Sequence, residues 1–438
     1  MTEKNHFDGR NYANYFNAHR HILPNAELAW LNDVRAKAIS SFIEVGLPGP
    51  KVEEWKYTNL NLLKTTIYET SEKIATENTD IIQKYALEGV LGSKVVFVDG
   101  YFNSELSDVQ KQQGVVLTSL NEFISANPEH AEQVFQESKN QDSLGELNTA
   151  LMTGGFVLII DENIKLAEPI QIFHIASEKS QAKSLRLKNF INIKSTSSAQ
   201  IIEYFISPDN IDCWRQNVTE VIVGEKAKLE IYQFQQEGNE TIHMNQTLAD
   251  VKESGNFKHY SLNIGGKISR TEIKPTINGL YGNVDLRGAF LGRNGNSHDV
   301  FTHMKHMKPE GDSNQSYRGV LDKGGKSAFQ GKVYVAKDAQ LTNANQSNKN
   351  LLLDRGAEAN SKPELLIYAD DVKCSHGTTV GELDNEAIFY LKSRGLDQKA
   401  AKALLVEAFV AEVFEDIKLQ SVKSRYLELA GSWLESGD

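Results

Sequence analysis

Cys374 and His376, separated by Ser375 in the run DVKCSHG, are the pair in this chain whose types best suit metal chemistry. A thiolate and an imidazole both bind iron or zinc well. In an extended strand, residues two apart point to the same face, which places the two side chains a few ångströms from each other. Two ligands make half of a tetrahedral site, so any ion or cluster held here needs ligands from elsewhere. The alternative is structural: a small buried thiol beside a histidine bonded to a backbone carbonyl.

Three histidines, His298, His303 and His306, cluster in HDVFTHMKHM. If this is one strand, His298 and His306 share a face and His303 takes the other. The three then cannot converge without a bulge, and ordinary strand or turn histidines are expected. Cys213, in SPDNIDCWRQN, follows a proline-containing turn and has no sequence-adjacent histidine to lower its pKa, so it reads as a packed or semi-exposed thiol and not as a nucleophile. The glycine pairs at 154–155, 265–266 and 324–325 lie in neither phosphate-loop nor dinucleotide-binding contexts, and GxSxG, HExxH and kinase motifs are missing. Turn glycines are expected, with any ATP bound by another chain. Asp370-Asp371 is the only carboxylate pair beside the Cys-His element. With no catalytic centre in view, the chain is read as a non-enzyme.

The elements that must position Cys374 and His376 are legible in outline. At 438 residues the chain exceeds what one compact core sustains, so it needs several domains or an architecture that grows along an axis. Hydrophobic residues at 40% and charged residues at 24% are ordinary for a globular protein. The net charge of −11, without clustered Lys and Arg, argues against nucleic-acid binding. No apolar run reaches the length of a membrane span, and none near the start has signal-peptide length, so no membrane association and a cytoplasmic location are expected. Two cysteines are too few for a disulfide framework and suit a reducing compartment.

Residues 1–154 read as a mixed, mostly helical domain. Within it, Leu28, Leu31, Val34, Ala38 and Phe42 recur at helical spacing before Gly46, KVVFVDG at 94–100 reads as a strand, and helical patterns between Ser119 and Met152 break at Asn127-Pro128 and Asn140-Gln141-Asp142. Residues 155–377 change to short Val-, Ile-, Phe- and Tyr-rich runs between turn residues, beginning about ten residues apart in the clearest stretches. That length of short strands suits a propeller, two sandwiches or a solenoid. A β-helix is preferred, because the Asn and Gln of TNANQSNKN at 342–350 can hydrogen-bond between rungs. Residues 378–438 turn helical again: NEAIFYLKSRG stops at Gly395, Asp397 caps the next helix, and Ala401, Leu404, Leu405, Ala408, Phe409, Val413 and Ile417 form one wide face. This segment reads as a cap over the solenoid end or as a partner surface.

Several runs together resemble the SufB/SufD family of the SUF iron-sulfur cluster assembly system. They are GLPGPKVEEWKYTNL at 46–60, YRGVL at 317–321, AQLTNANQSNKNLLL at 339–353, KPELLIYADDVKCSHGTTVGELD at 362–384 and LKSRGL at 391–396. Length, the EEWKYTNL element and the KCSH run are nearer the SufD branch than the longer, more cysteine-rich SufB branch. GPK at 49–51 departs from a common TRK.

The resemblance implies a mainly β fold, a right-handed parallel β-helix flanked by an N-terminal mixed region and C-terminal helices. It implies a non-catalytic scaffold that pairs with a SufB-like paralogue through β-helix ends and docks a SufC-like ATPase through its C-terminal helical region. A nascent cluster would be built at the interface between the paralogues and passed to acceptors, with a role for this chain in iron delivery. His376 falls on the family's interface histidine and Cys374 on the cysteine beside it. Leu404, Phe409, Val410 and Glu412 fall in the ATPase-docking region. The cargo is a transient iron-sulfur cluster or iron, none held stably by this chain alone. Two other readings stay open: a carbohydrate-active β-helix enzyme, and a stand-alone metal-binding protein using His376 with His298, His303 and His306.

Overall fold

The computed structural model describes residues 6–73, 80–138 and 142–435. The helix expected before Gly46 spans Ala29–Val45, buries Leu31, Ala38, Ile39 and Phe42, and stops where Gly46 takes a φ of 83°. The helical stretch after Ser119 divides as its polar breaks imply. Ser119 caps Leu120–Ala126 through a capping box with Glu122, Pro128 opens Pro128–Gln136, and Asp142 accepts from the Gly145 amide at the start of Ser143–Leu151. Residues 140 and 141 of the second expected break lie outside the described residues.

The architecture is mainly β: a parallel β-helix flanked by this N-terminal region and by C-terminal helices. From Phe156 onward the chain alternates between two facing parallel sheets. One ends in Asp312–Leu321, Asn343–Leu352 and Lys373–Glu382; the other ends in Ser297–His306, Lys326–Val335 and Glu358–Ile367. At its start the solenoid is closed by the N-terminal region. Lys94–Val98 pairs in parallel with Ile170–Ile175, and Val115–Ser119 runs antiparallel to Phe156–Ile160.

Successive strands open at Trp214, Lys228, Ile242 and Asn256, a spacing of 14 residues and not ten. The short apolar runs mark only half of each strand, because the lumen has two unlike corners. Ile201, Ile231, Val223, Val251 and Ile277 pack in an apolar corner, each adding about 2 kcal/mol on burial. The other halves of the same strands turn Gln233, Gln235, Glu237, Arg215 and Asn217 inward, all buried. The glutamines find partners across the lumen and along their own sheet: Asn245 donates to Gln233 (3.1 Å) and Ser269 to Gln235 (2.7 Å) from the facing sheet, and Gln233 donates to Glu203 (2.7 Å) on the neighbouring strand.

The C-terminal helices, Asn385–Ser393, Gln398–Ala411 and Gln420–Glu435, do not cap the solenoid end. The last two fold back along the outer face of the first sheet, where Val406, Val410, Phe414, Tyr426 and Trp433 cover Tyr204, Tyr232, Phe234, Tyr260 and Leu262. The outer face is apolar and aromatic along these strands, so the larger gain from burial lies on the side of the solenoid and not at its end. The buried stripe also differs from the expected face. It runs Ala401, Val406, Val410, Val413, Phe414 and Ile417, while Leu404 is 46% exposed and Ala408 faces solvent. A 3-10 turn at Glu412–Phe414 shifts the helical phase and brings Phe414 inward.

Candidate functional site at the open end of the solenoid

Because the helices lie along the side, the last turn has nothing above it among the described residues. Glu358–Ile367 and Lys373–Glu382 each pair with one neighbour only and present a free backbone edge. Ile367, Tyr368, Val380 and Leu341 are exposed around this end, and Phe389 and Tyr390 are exposed on the helix that follows the last strand.

Lys373–Glu382 places the Cys-His element. It is held in register by Asn343–Leu352, with Ala344 opposite Cys374, Asn345 opposite Ser375 and Gln346 opposite His376. Cys374 packs against the interior apolar cluster, which fixes the even-numbered residues as inward-facing and puts His376 on the same face. Ser375, on the outer face, donates to Asn345 Oδ1 (2.7 Å), and Asn343 donates to Asp312 Oδ1 one rung below (3.0 Å). The rung-to-rung bonding expected of TNANQSNKN is thus present on its outward residues, whereas Gln346, Asn348 and Asn350 point into the lumen and are buried. Asp370-Asp371 forms the turn before the strand. The Asp371 carbonyl accepts from Leu341 N (2.6 Å) and its amide donates to Gln340 Oε1 (2.9 Å).

The two candidate ligands differ in setting. Cys374 is half-buried. Burial pushes its thiol up, partly offset by a backbone hydrogen bond at Ala344. His376 is exposed at the open end. Among the described residues no group of three or more His, Cys, Asp or Glu converges as a metal site, so the pair stands as half of one.

The remaining candidates separate as their spacing implies. His298 and His306 point into the lumen, fully buried, and His303 sits half-buried on the outer face. Burial lowers all three to about 4, so they are neutral imidazoles that do not meet. Cys213 is fully buried beside Ala176 and Leu185, and burial raises its thiol to about 12. Of the four residues on the helical arm, Leu404 is exposed and Phe409 is half-buried against Arg318, the ring 5.8 Å from the guanidinium. Val410 is wholly buried on the solenoid, and Glu412 bonds to Arg318 and Lys349.

Sequence reasoning missed the charged groups in the lumen. Glu237 lies between Arg215 (2.6 Å) and His243 (2.8 Å), all buried. Burial opposes its ionisation, but His243 and Arg215 outweigh that and hold it down at about 2. The only signal for it was polar residues at alternate positions of strands that otherwise read as apolar.

Comparison with known proteins agrees over nearly the whole chain. A family profile described as "SUF system FeS cluster assembly, SufBD core domain" matches residues 174–409, and one described as "SufBD protein N-terminal region" matches residues 8–172. A SufBD family iron-sulfur cluster assembly protein of Synechocystis is 28% identical over 389 residues, covering 86% of each chain. The iron-sulfur cluster assembly protein SufD of Escherichia coli is 27% identical, covering 91% of this chain and 92% of its own. SufD of Bacillus subtilis is 25% identical, covering 92% and 94%.

Proposed function

This chain belongs to the SufBD family and so has a part in iron-sulfur cluster assembly; from that premise we propose that it is a non-catalytic scaffold subunit that contributes His376 to a cluster site shared with a SufB-like paralogue. The observation that carries this reading is the uncovered last turn of the solenoid. There, free strand edges, an apolar rim and the lumen-facing Cys374-His376 pair lie together on the uncovered rung. A second β-helix meeting this end would continue the strand pairing and bury the rim. It would also supply the ligands that a two-residue half-site lacks.

In this reading the cluster, or the iron that enters it, is cargo. His376 is the principal ligand from this chain and Cys374 a supporting one, and this side of the interface takes part in iron delivery. Ligands at an interface suit release, because separating the chains breaks the coordination sphere. The C-terminal arm docks a SufC-like ATPase through its outward residues, Leu404 and the open side of Phe409. Val410 and Glu412 hold the arm on the solenoid. ATP then acts by shifting the balance between two arrangements of the interface. The complex works in the cytoplasm.

The test is anaerobic purification of the chain co-expressed with SufB-like and SufC-like partners, with visible absorption of bound cluster as readout. Wild type is expected to carry cluster, His376→Ala to lose most of it and Cys374→Ala to lose part. Cluster content unchanged in His376→Ala, with the complex intact, would place the site elsewhere.

A further inference from the structure

The residues below His376 form a column on the inner face of the first sheet. Leu286, Gln315 and Gln346 lie in direct parallel register and His376 is the next residue up, with strands about 4.8 Å apart. Gln346 is 4% exposed, and neither atom of its carboxamide has a hydrogen-bond partner. A buried amide is seldom left so. Gln315 beneath it is engaged through its oxygen, which accepts from Thr302 Oγ1 (2.5 Å), while its nitrogen has no hydrogen-bond partner either. Gly331 on the facing sheet makes the room: a Cβ there would lie 2.8 Å from the Gln346 nitrogen, and no positive φ is recorded at that glycine, so it serves space and not backbone conformation. With the amide nitrogen over Gly331, the oxygen remains for the ring above. The parallel column under Cys374 ends in Ala344, which offers the thiol no polar side chain.

We propose that Gln346 is a positioning residue for the cluster site: its carboxamide oxygen accepts the N–H of one His376 ring nitrogen, fixing the tautomer and turning the other nitrogen's lone pair out of the open end. Histidines that bind metals are commonly oriented in this way by a carbonyl or carboxylate behind them. The proposal rests on His376 being a ligand, and its test separates the two.

The full chain, labelled with 15N-histidine, is examined by imidazole 15N shifts at pH 8.5, with the His376 signals identified by their loss in His376→Ala. A hydrogen bond of ordinary net strength shifts the tautomer ratio about fivefold. Wild type is expected to favour one tautomer by that margin, Gln346→Leu to lose the preference, and Gln346→Glu, which keeps an acceptor, to retain it. If Gln346→Leu does not accumulate, Gly331→Ala takes its place, since the added methyl crowds the same carboxamide. An unchanged ratio in the variant that lacks or displaces the amide overturns the proposal. In the co-expressed complex, Gln346→Leu is expected to weaken metal binding about tenfold. If the tautomer responds while His376→Ala keeps its cluster, the positioning role stands and the ligand role falls.

Discussion

Arg318 and Lys349 stand directly opposite each other on neighbouring strands, two cations in register, and Glu412 reaches from the helical arm to both, 2.9 Å from one and 3.1 Å from the other. Like charges facing across a ladder repel. The carboxylate between them relieves the repulsion and fastens the arm to the sheet.

Glu412→Ala is therefore expected to lower stability by about 1 kcal/mol, a modest figure because the carboxylate is half exposed. Burial opposes ionisation of Glu412, and the hydrogen bonds from Lys349 and Arg318 outweigh it, leaving the carboxyl below its ordinary value. The contribution is thus fully present above the ordinary carboxylate range and fades as pH falls through the depressed value. Urea melts of both proteins in low and high salt check this. The difference should shrink with salt, and a salt-independent difference would point to packing alone.

Acid should weaken the fold before the carboxylates titrate. His259 and His298 are fully buried and held at about 4 by burial, so the unfolded chain binds protons that the folded chain refuses. Stability is expected to fall from about pH 6.5 towards 4, by up to about 3 kcal/mol for each histidine. Replacing both with leucine should flatten the urea midpoint over that window. Equal slopes in wild type and variant would show that the lumen histidines carry their protons in the folded state.

The two thiols should be kinetically distinct. Cys374 is half-buried at the open end, whereas Cys213 is enclosed with its thiol raised to about 12. Native protein treated with iodoacetamide at pH 8 is expected to take up one equivalent, at Cys374, and a second only in denaturant. Early modification of Cys213 would mean that the loop before Trp214 opens locally.

Partner binding should divide along the arm and the rim. Leu404→Glu is expected to abolish co-purification with the ATPase without changing the melting temperature of the isolated chain, and Val380→Asp should do the same for the SufB-like partner. Val410→Glu buries a charge against the solenoid and should destabilise the arm by about 3 kcal/mol. If Leu404→Glu melts early as well, that face is packed and not free.

The sequence by itself determined the elements whose signals are local. Gly46 and Gly395 end helices, Asp397 caps the one that follows, and alternate residues of Lys373–Glu382 put Cys374 and His376 on one face. The run around that pair also carried the family resemblance. What tertiary structure alone decided was everything that depends on distant strands meeting. Strand limits were hidden because one lumen corner is polar, and only the facing sheet supplies Arg215 with Glu237 and Gln235 with Ser269. The turns gave little away, since Lys226, Ser254, Tyr281, Glu310 and Leu341 take positive φ without being glycine or asparagine. Periodicity in 398–417 could not say that the arm covers the side of the solenoid, because an apolar stripe records that something is covered and not what. The open end, the pairing of Gln346 with His376 and the bridge from Glu412 to Arg318 and Lys349 all follow from register, which joins residues about 30 or more apart in the chain and leaves no local mark.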